Sequence, residues 1–315
     1  MASQGLGKEQ SVQDLIAKSR NKQGKKVLEK VMPLLLLFTA VVSVLTTFGI
    51  LFTLVFETFE FFQRVSITDY LFGTEWFPFS GNNPTFGVLP LILGTLKVTV
   101  IAIIVAVPLG IAAAIYLSEY ASDKARRVIK PILEVLAGVP TIVYGFFALT
   151  FVTPILQQLI PSLKIFNALS PGIVVGIMII PMIASLSEDA MSSVPNSIRE
   201  AALGLGATKL EVALKVVLPA AISGIISSIV LAISRAIGET MIVSLAGGAT
   251  PTFNLDVTGS IQTMTAYIVQ VSSGDAGYGT TIYYSIYAVG FTLFIFTLIM
   301  NLLAHYISKR FREEY

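Results

Sequence analysis

Long apolar stretches separated by short polar segments are the main pattern of this chain. A helix that crosses a membrane needs about 20 mostly apolar residues, and six stretches approach or exceed that length: 33–56, 90–117, 132–156, 169–186, 218–246 and 283–307. Pro140, Pro154 and Pro181 interrupt the third and fourth stretches, which membrane helices tolerate when neighbouring groups satisfy the freed carbonyls. The pattern predicts an all-α integral membrane protein with about six transmembrane helices.

The basic residues predict the orientation of these spans. With both termini inside, 17 of the 21 Lys and Arg residues lie on the inner side, Arg64 and Lys164 lie outside, and Lys97 and Arg235 fall within spans. The positive-inside rule therefore favours cytoplasmic termini. We expect a cytoplasmic segment at 1–32, a membrane domain at 33–310 that includes a cytoplasmic polar loop at 197–219, and a cytoplasmic tail at 311–315. The Lys-rich first segment lacks a cleavable signal-peptide pattern and is either an amphipathic lead-in or a solvated tail.

Composition excludes several classes of function. The chain is 54% hydrophobic and 13% charged, with a mean hydropathy of +0.80, far from the balance of a soluble domain. It has no Cys and a single His, so thiolate and zinc sites lack ligands. Gly7 and Lys8 are followed by Glu9, so a Walker A pattern is absent. We expect membrane lipid as a partner, no metal, no cofactor, no nucleic acid and no enzymatic activity in this chain.

Two charged residues stand in the middle of the fifth span. Arg235 and Glu239 are four residues apart, which places them on one face of a continuous helix. A charge at the bilayer centre costs about 2.5–3.5 kcal/mol, so such residues face the protein interior or a polar cavity. One interpretation is a self-neutralising pair that tightens packing. The other is an oxyanion pathway, because a guanidinium offers a planar fork of donors, and Glu239 would either hold that fork or cap the site electrostatically.

Lys97 lies near the outer end of the second span. Its long stem allows the ammonium to snorkel to the membrane interface, and the alternative is that it adds positive potential to an anion path. Glu134, at the start of the third span, is expected to pair with Arg126 or Arg127.

The two outer loops carry different compositions. The first, 57–89, contains Phe61, Phe62, Tyr70, Trp76, Phe77 and Phe79, which indicate an interfacial aromatic belt or a platform for an extracytoplasmic partner. The second, 247–281, is rich in Gly, Ser and Thr and is typical of an irregular solvated connection.

The polar interlude at 200–219 reads EAALGLGATKLEVALKVVLP. Ala and Leu favour helix, glycine permits a tight turn, and proline suits the first turn of a new helix. The interlude resembles the EAA loop of bacterial ABC-importer permeases, in which two short cytoplasmic helices meet at the glycine and dock into an ATPase. The matching positions assigned to ATPase coupling are Glu200, Ala201, Ala202, Gly206, Leu218 and Pro219, and Val216 stands where the pattern often has Ile. An ordinary amphipathic surface helix is the alternative.

Three further segments narrow the choice of permease family: FGVLPLILGTL at 86–96, LEVLAGVPTIVYGFFAL at 133–149 and SRAIGET at 234–240. With the interlude they are similar, in order and over nearly all of 33–310, to the PstC permeases of phosphate-specific ABC transporters. The resemblance implies a type I importer permease (MetI-like) fold in the bacterial inner membrane, a PstA-like permease as heterodimer partner, two PstB-like ATPase subunits and a PstS-like phosphate-binding protein. It also carries a role in phosphate passage over to Arg235 and Glu239, whereas Lys97 matches no family residue.

The resemblance leaves other functions open. A PstA permease shares the loop and the layout, and a permease of the same architecture would import molybdate, sulfate or phosphonate. A secondary phosphate transporter that acts alone is a further alternative. Inverted repeats would favour it, but the sequence contains no convincing repeat, and a self-sufficient carrier has no use for an EAA loop.

Overall fold

The computed structural model describes residues 23–81 and 83–310. Most of the predicted N-terminal segment, residues 1–22, and the predicted tail 311–315 lie outside the described residues. The chain divides into two units, Met1–Phe56 and Glu57–Tyr315. The described part of the first unit belongs to helix α1 (Gln23–Phe62), whose apolar side chains, such as Phe38 and Phe48, are exposed. Exposed apolar side chains along a long helix are typical of a helix in lipid.

The second unit contains the end of α1 and the remaining elements of the described chain. Two strands, β1 (Trp76–Phe77) and β2 (Thr85–Phe86), form an antiparallel pair. The helices are α2 (Ile67–Phe72), α3 (Leu89–Ile115), α4 (Asp123–Ala137), α5 (Thr141–Phe147), α6 (Thr153–Leu159), α7 (Leu169–Ser192), α8 (Asn196–Gly204), α9 (Lys209–Val212), α10 (Leu218–Ala220), α11 (Ile222–Ile237), α12 (Met241–Ala246), α13 (Met264–Gln270) and α14 (Thr281–Arg310). Five-residue π-helical turns follow α3, α5, α9 and α13.

Within the described chain, five helical stretches are long and apolar enough to cross a membrane, and a bent helix pair would make a sixth. The five are Val31–Phe62, Leu89–Tyr120, Thr141–Leu159, Leu169–Ser192 and Thr281–Leu303. The pair joins Lys209–Ala220 to Ile222–Ile237 with a bend of 73°. The prediction of a helical membrane protein with about six spans is confirmed. The prediction that 218–246 forms one continuous span is wrong, because the helix bends at Ala221 and ends at Ile237.

The third predicted span begins too early. Residues 123–137 form the separate amphipathic helix α4, and the apolar stretch starts at Thr141. The reason is Pro140, which precedes α5, because the residue before a proline is disfavoured in α-helical conformation. At the other end, the Ser122 hydroxyl caps α4 by accepting the Ala125 N–H at 3.3 Å.

The main core of the second unit lies between α3, α7, α11 and α12. It is built from small and β-branched residues such as Ala102, Val175, Ala232 and Ile242. Helices α3 and α7 approach so closely that a Cβ on Gly176 would lie 2.8 Å from the Ala102 carbonyl oxygen. Small residues at helix crossings permit this contact. This core therefore packs against one side of the C-terminal end of α11.

Aromatic side chains before α3 form a second cluster with α13. Trp76 is 1% exposed and lies edge-on to Tyr267, with ring centroids 4.8 Å apart. Phe61 and Tyr70 are also buried and meet edge to face at 5.5 Å, a geometry that aromatic rings prefer. The interpretation of Phe61, Tyr70 and Trp76 as an interfacial belt is wrong, since these rings are covered by protein. Of the aromatics named for that loop, Phe77 and Phe79 are exposed.

The second predicted loop, 247–281, is also more ordered than expected. Helix α13 lies within it, and Gln262, Thr263 and Met264 are buried. Thr95 of α3 accepts the Met264 N–H at 3.2 Å. The prediction of an irregular solvated connection is wrong for this part of the loop, because these contacts with α3 replace water.

Candidate functional site

Arg235 lies in the last turn of α11, and the helix ends two residues later. The Arg235 side chain is exposed at the surface of the chain and has no ion pair or hydrogen bond among the residues that the structure describes. The guanidinium is therefore not covered by this chain itself, and the expectation that it faces the protein interior or a polar cavity stays a prediction. The next helix, α12, begins at Met241, so residues 238–240 form a break between the two helices.

Glu239 lies in this break and not on the face of a helix shared with Arg235. It is 7% exposed. Its Oε1 atom accepts the N–H groups of Met241 at 3.1 Å and Ile242 at 3.3 Å, and its backbone carbonyl accepts the Thr265 hydroxyl at 2.8 Å. The expected helical pairing with Arg235 is wrong. The carboxylate instead caps α12, where the first N–H groups of a helix lack partners and favour negative charge.

Lys97 is held inside the protein. The residue is 7% exposed, and its ammonium donates to the Asp256 carbonyl oxygen at 2.8 Å and to Asn254 Oδ1 at 3.2 Å. The snorkelling interpretation is wrong, because the lysine is buried and its ammonium is bonded to Asn254 and Asp256. Its predicted contribution to an anion path stays a prediction.

The EAA-like segment forms two short helices, α8 and α9, that meet at a tight turn. Gly206 has φ of +89°, a conformation that side chains with a Cβ disfavour. At the following helix, the Thr208 hydroxyl accepts the Glu211 N–H and the Glu211 carboxylate accepts the Thr208 N–H, a reciprocal capping box. The Thr208 N–H and the Lys215 ammonium lower the pKa of Glu211 to about 2. The predicted turn at Gly206 is confirmed.

The other predicted coupling residues lie along these helices. Glu200 and Ala201 are exposed, whereas Ala202 packs against a small buried apolar cluster that includes Met191 and Val212. Leu218 and Pro219 form the first turn of α10, with proline at a position that helix starts favour. This arrangement leaves the Glu200 carboxylate open to a partner.

Four leucines that sequence reasoning missed form an exposed apolar surface on the same segment. Leu203, Leu205, Leu210 and Leu214 are 44%, 91%, 55% and 45% exposed. Clustered exposed leucines are typical of a protein contact. Their signal in the sequence is the interleaving of leucine with glycine and alanine around Gly206.

Arg199, directly before Glu200, fixes α8 to the rest of the chain. Its guanidinium donates to both Glu119 oxygens, at 3.2 and 3.4 Å from Nε, and to the Met191 carbonyl oxygen at 2.7 Å. Glu119 belongs to the π-helical turn after α3, and Met191 to the end of α7. Sequence reasoning treated Arg199 only as one of the inner basic residues.

A second ion cluster joins α4 to α7. Glu188 is fully buried and pairs with Arg126 and with Lys130 at 2.9 Å, and Lys130 also reaches Asp189 at 2.7 Å. Hydrogen bonds to Asp189 and Glu188 raise the pKa of Lys130. The expectation that Glu134 pairs with Arg126 is wrong, because Arg126 pairs with Glu188 instead. In the described chain neither Arg126 nor Arg127 forms an ion pair with Glu134.

A family model described as the binding-protein-dependent transport system inner membrane component matches residues 106–313. The chain belongs to this family. A relative of this inner membrane component, the probable ABC transporter permease protein YqgH of Bacillus subtilis, is 35% identical over 249 residues, covering 78% of this chain and 79% of the relative. The phosphate transport system permease protein PstC of Xylella fastidiosa is 32% identical over 265 residues, with 78% and 80% covered. The resemblance to the PstC permeases is confirmed.

Solved structures of inner membrane components share the fold. A chain of a bacterial alginate ABC transporter, crystallised with a periplasmic protein bound to an alginate pentasaccharide, has a TM-score of 0.62 and 18% identity, covering 88% of this chain and 95% of that one. A chain of the inward-facing MetNI methionine ABC transporter has a TM-score of 0.53 and 18% identity, covering 72% and 95%. The predicted MetI-like fold is confirmed, and the relatives are transport subunits, consistent with a chain that is not itself an enzyme.

Proposed function

We propose that this chain is the membrane-spanning permease subunit of an ATP-driven importer of inorganic phosphate. The observation that carries the proposal is the Arg235 guanidinium, which lies exposed at the end of an apolar helix with no carboxylate partner in the described chain. A planar fork of N–H donors suits phosphate oxygens. Relatives from Xylella fastidiosa and Mesorhizobium japonicum, both 32% identical, are named phosphate transport system permease protein PstC.

The exposed position of Arg235 supports a second permease as partner. A charge that faces lipid costs about 2.5–3.5 kcal/mol at the membrane centre, so the Arg235 face of α11 packs against a PstA-like permease and phosphate passes between the two subunits. Glu239 shapes the break after Arg235, and Lys97 adds positive potential at the other end of the path.

The leucine surface supports coupling to an ATPase. Leu203, Leu205 and Leu210 surround the turn at Gly206 and dock one of two PstB-like ATPase subunits, which hydrolyse the ATP. Glu200 and Ala201 are exposed beside these leucines. Glu200 adds polar contacts with the ATPase subunit, and the small Ala201 permits a close approach of the two backbones. Ala202, Leu218 and Pro219 hold the two ends of the segment in place.

The match to an inner membrane component supports a place in a bacterial inner membrane, and the distribution of charge supports cytoplasmic termini. In this placement 1–32 is a cytoplasmic segment, 33–310 is the membrane domain with its coupling loop at 197–219, and 311–315 is a cytoplasmic tail. The opposite side receives phosphate from a PstS-like binding protein.

The test is phosphate uptake by the complete complex in proteoliposomes loaded with ATP. We expect uptake that requires the binding protein and ATP and that stops when the ATPase subunit carries an inactivating substitution. Uptake of phosphate by this chain without any ATPase would instead establish a secondary transporter. Uptake of molybdate, sulfate or phosphonate in preference to phosphate would establish a permease for another oxyanion.

A further inference from the structure

The segment between α12 and α13 folds over the turn before α7. The Lys164 N–H donates to the Thr258 carbonyl oxygen at 3.0 Å, and the Ala168 N–H donates to the Val257 carbonyl oxygen at 3.1 Å. The Ile261 N–H closes the segment onto Gly247 at 2.9 Å. These bonds fix the backbone of the segment against the turn before α7.

A small polar cavity lies in this segment. Its volume is about 140 Å³, and its lining includes Lys164, Thr250, Thr252, Asn254, Asp256 and Ser260. We call it the outer-loop cavity. Its donors are an ammonium, three hydroxyls and a side-chain amide, and its one charged acceptor is the Asp256 carboxylate. Space equal to roughly four or five water molecules accommodates a tetrahedral oxyanion.

Two ammonium groups set the electrostatics of the outer-loop cavity. Lys164 is exposed and has no ion pair among the described residues. Lys97 donates to Asn254 and to the Asp256 backbone, which leaves one of its three N–H groups without a bond in the described chain. With Asp256 as the only carboxylate in the lining, the two lysines give the cavity a net positive charge.

The Asp256 carboxylate has one occupied and one open oxygen. Oδ1 accepts the Thr258 N–H at 2.9 Å and the Thr258 hydroxyl at 2.7 Å, whereas Oδ2 makes no hydrogen bond with any described residue. The bonds from Thr258 and the charges of Lys97 and Lys164 lower the pKa of Asp256, so it is ionised at neutral pH. An ionised oxygen without a partner accepts a hydrogen bond from a ligand that carries an O–H group. It repels an anion that carries no O–H group.

We propose that the outer-loop cavity is a receiving subsite for a protonated tetrahedral oxyanion, separate from Arg235. Lys164 and the hydroxyls bind the anion, and Asp256 Oδ2 accepts a hydrogen bond from its O–H group. Lys97, which is bonded to the lining residues Asn254 and Asp256, adds electrostatic attraction. Inorganic phosphate keeps an O–H group at neutral pH, whereas sulfate does not, so the subsite favours phosphate. The proposal rests on the phosphate import proposed above and on the orientation that places this segment outside.

The test uses a single cysteine in this Cys-free chain, Thr252→Cys, within the complete complex but without the binding protein. The measured quantity is the rate of modification by an impermeant thiol reagent as inorganic phosphate or sulfate is added. Bound anion shields the thiol by a factor of 1 + [L]/Kd, about threefold at twice the Kd. We expect phosphate to slow the modification and sulfate to leave it unchanged. Thr250→Cys serves as a second reporter, and the exposed Ser273→Cys, outside the cavity lining, is the matched control.

Substitutions of the charged groups separate their roles. In the Thr252→Cys background, Lys164→Gln should abolish protection and Lys164→Arg should retain it. Asp256→Asn should allow sulfate to protect as well as phosphate does. Equal protection by the two anions while Lys164 and Asp256 are unchanged, no protection by phosphate at either reporter, or protection only by added binding protein would each overturn the subsite. Failure of the parental complex to import phosphate would overturn the proposed function, whereas import without protection overturns the subsite alone.

Discussion

The Arg199 guanidinium and the Glu119 carboxylate connect helix α8 to the end of α3 across 80 positions of the chain. Three bonds of 3.1 to 3.4 Å join them, and their side chains are only 15% and 10% exposed. The same guanidinium donates to Met191 and Val194 carbonyl oxygens at the end of α7. The one guanidinium therefore ties α8 to the ends of two membrane helices.

Loss of this connection should uncouple the segment from the membrane helices. Arg199→Gln removes several charge-assisted hydrogen bonds, each worth about 1.5–3 kcal/mol, so we expect a lower melting temperature and less phosphate transported per ATP hydrolysed. Lys215→Gln is the matched control, because its i,i+4 pair with Glu211 is 73% exposed on the lysine side and solvent-exposed ion pairs contribute little to stability. An unchanged transport ratio in Arg199→Gln would show that the connection plays no part in coupling.

The sequence predicts the features that depend on local chemistry. Apolar stretches locate the membrane helices because only length and composition are required. Gly206 predicts the turn between α8 and α9 because few other residues adopt positive φ. Pro219 predicts a helix start because proline suits the first turn of a helix.

The features that the sequence does not predict depend on distant contacts. The break after Ile237 lies inside an apolar stretch marked only by Gly238, so the spacing of Arg235 and Glu239 suggested one helical face. The Glu239 position is fixed by Thr265, which lies 26 residues further on. Trp76 is buried because α13 returns to cover it, which no local pattern in the first loop reveals.

Gly206 offers a test of the turn in the coupling segment. Gly206→Val should keep membrane insertion and abolish transport, because a non-glycine residue at φ of +89° costs roughly 1–2 kcal/mol and a β-branched one is further restricted. Gly204→Ala is the control, since Gly204 is helical and a Cβ there meets nothing within 4 Å. Phosphate uptake at matched expression is the measurement. Normal uptake by Gly206→Val would contradict the role of the turn.

Three single-cysteine variants test the orientation. Ser80, Ser273 and Ser197 are all exposed, so accessibility within the protein does not distinguish them. In intact cells an impermeant thiol reagent should label Ser80→Cys and Ser273→Cys and leave Ser197→Cys unlabelled until the membrane is permeabilised. Labelling of Ser197→Cys in intact cells would reverse the assigned topology.

Glu239 is expected to act through the cap of α12. Glu239→Gln keeps a carbonyl oxygen that can accept the Met241 and Ile242 N–H groups, so it should fold and retain most phosphate uptake. Glu239→Ala leaves those groups without the cap, at a cost of about 1 kcal/mol, and should lower both the melting temperature and uptake. If Glu239→Gln is stable and yet as inactive as Glu239→Ala, the negative charge itself takes part in transport.

Arg235 is expected to carry the selectivity of the membrane path. In this structure its guanidinium has no partner in the described chain, so its planar fork is available for two phosphate oxygens at once. Arg235→Gln should therefore lose most phosphate uptake while the complex still assembles. Arg235→Lys should recover little, since a compact ammonium does not supply the bidentate fork. Ser234→Ala, which removes only the neighbouring hydroxyl bonded to Asn301 at 2.6 Å, should retain uptake. Parental uptake by Arg235→Gln at matched expression would place the anion path elsewhere, because no other residue of α11 carries a charge.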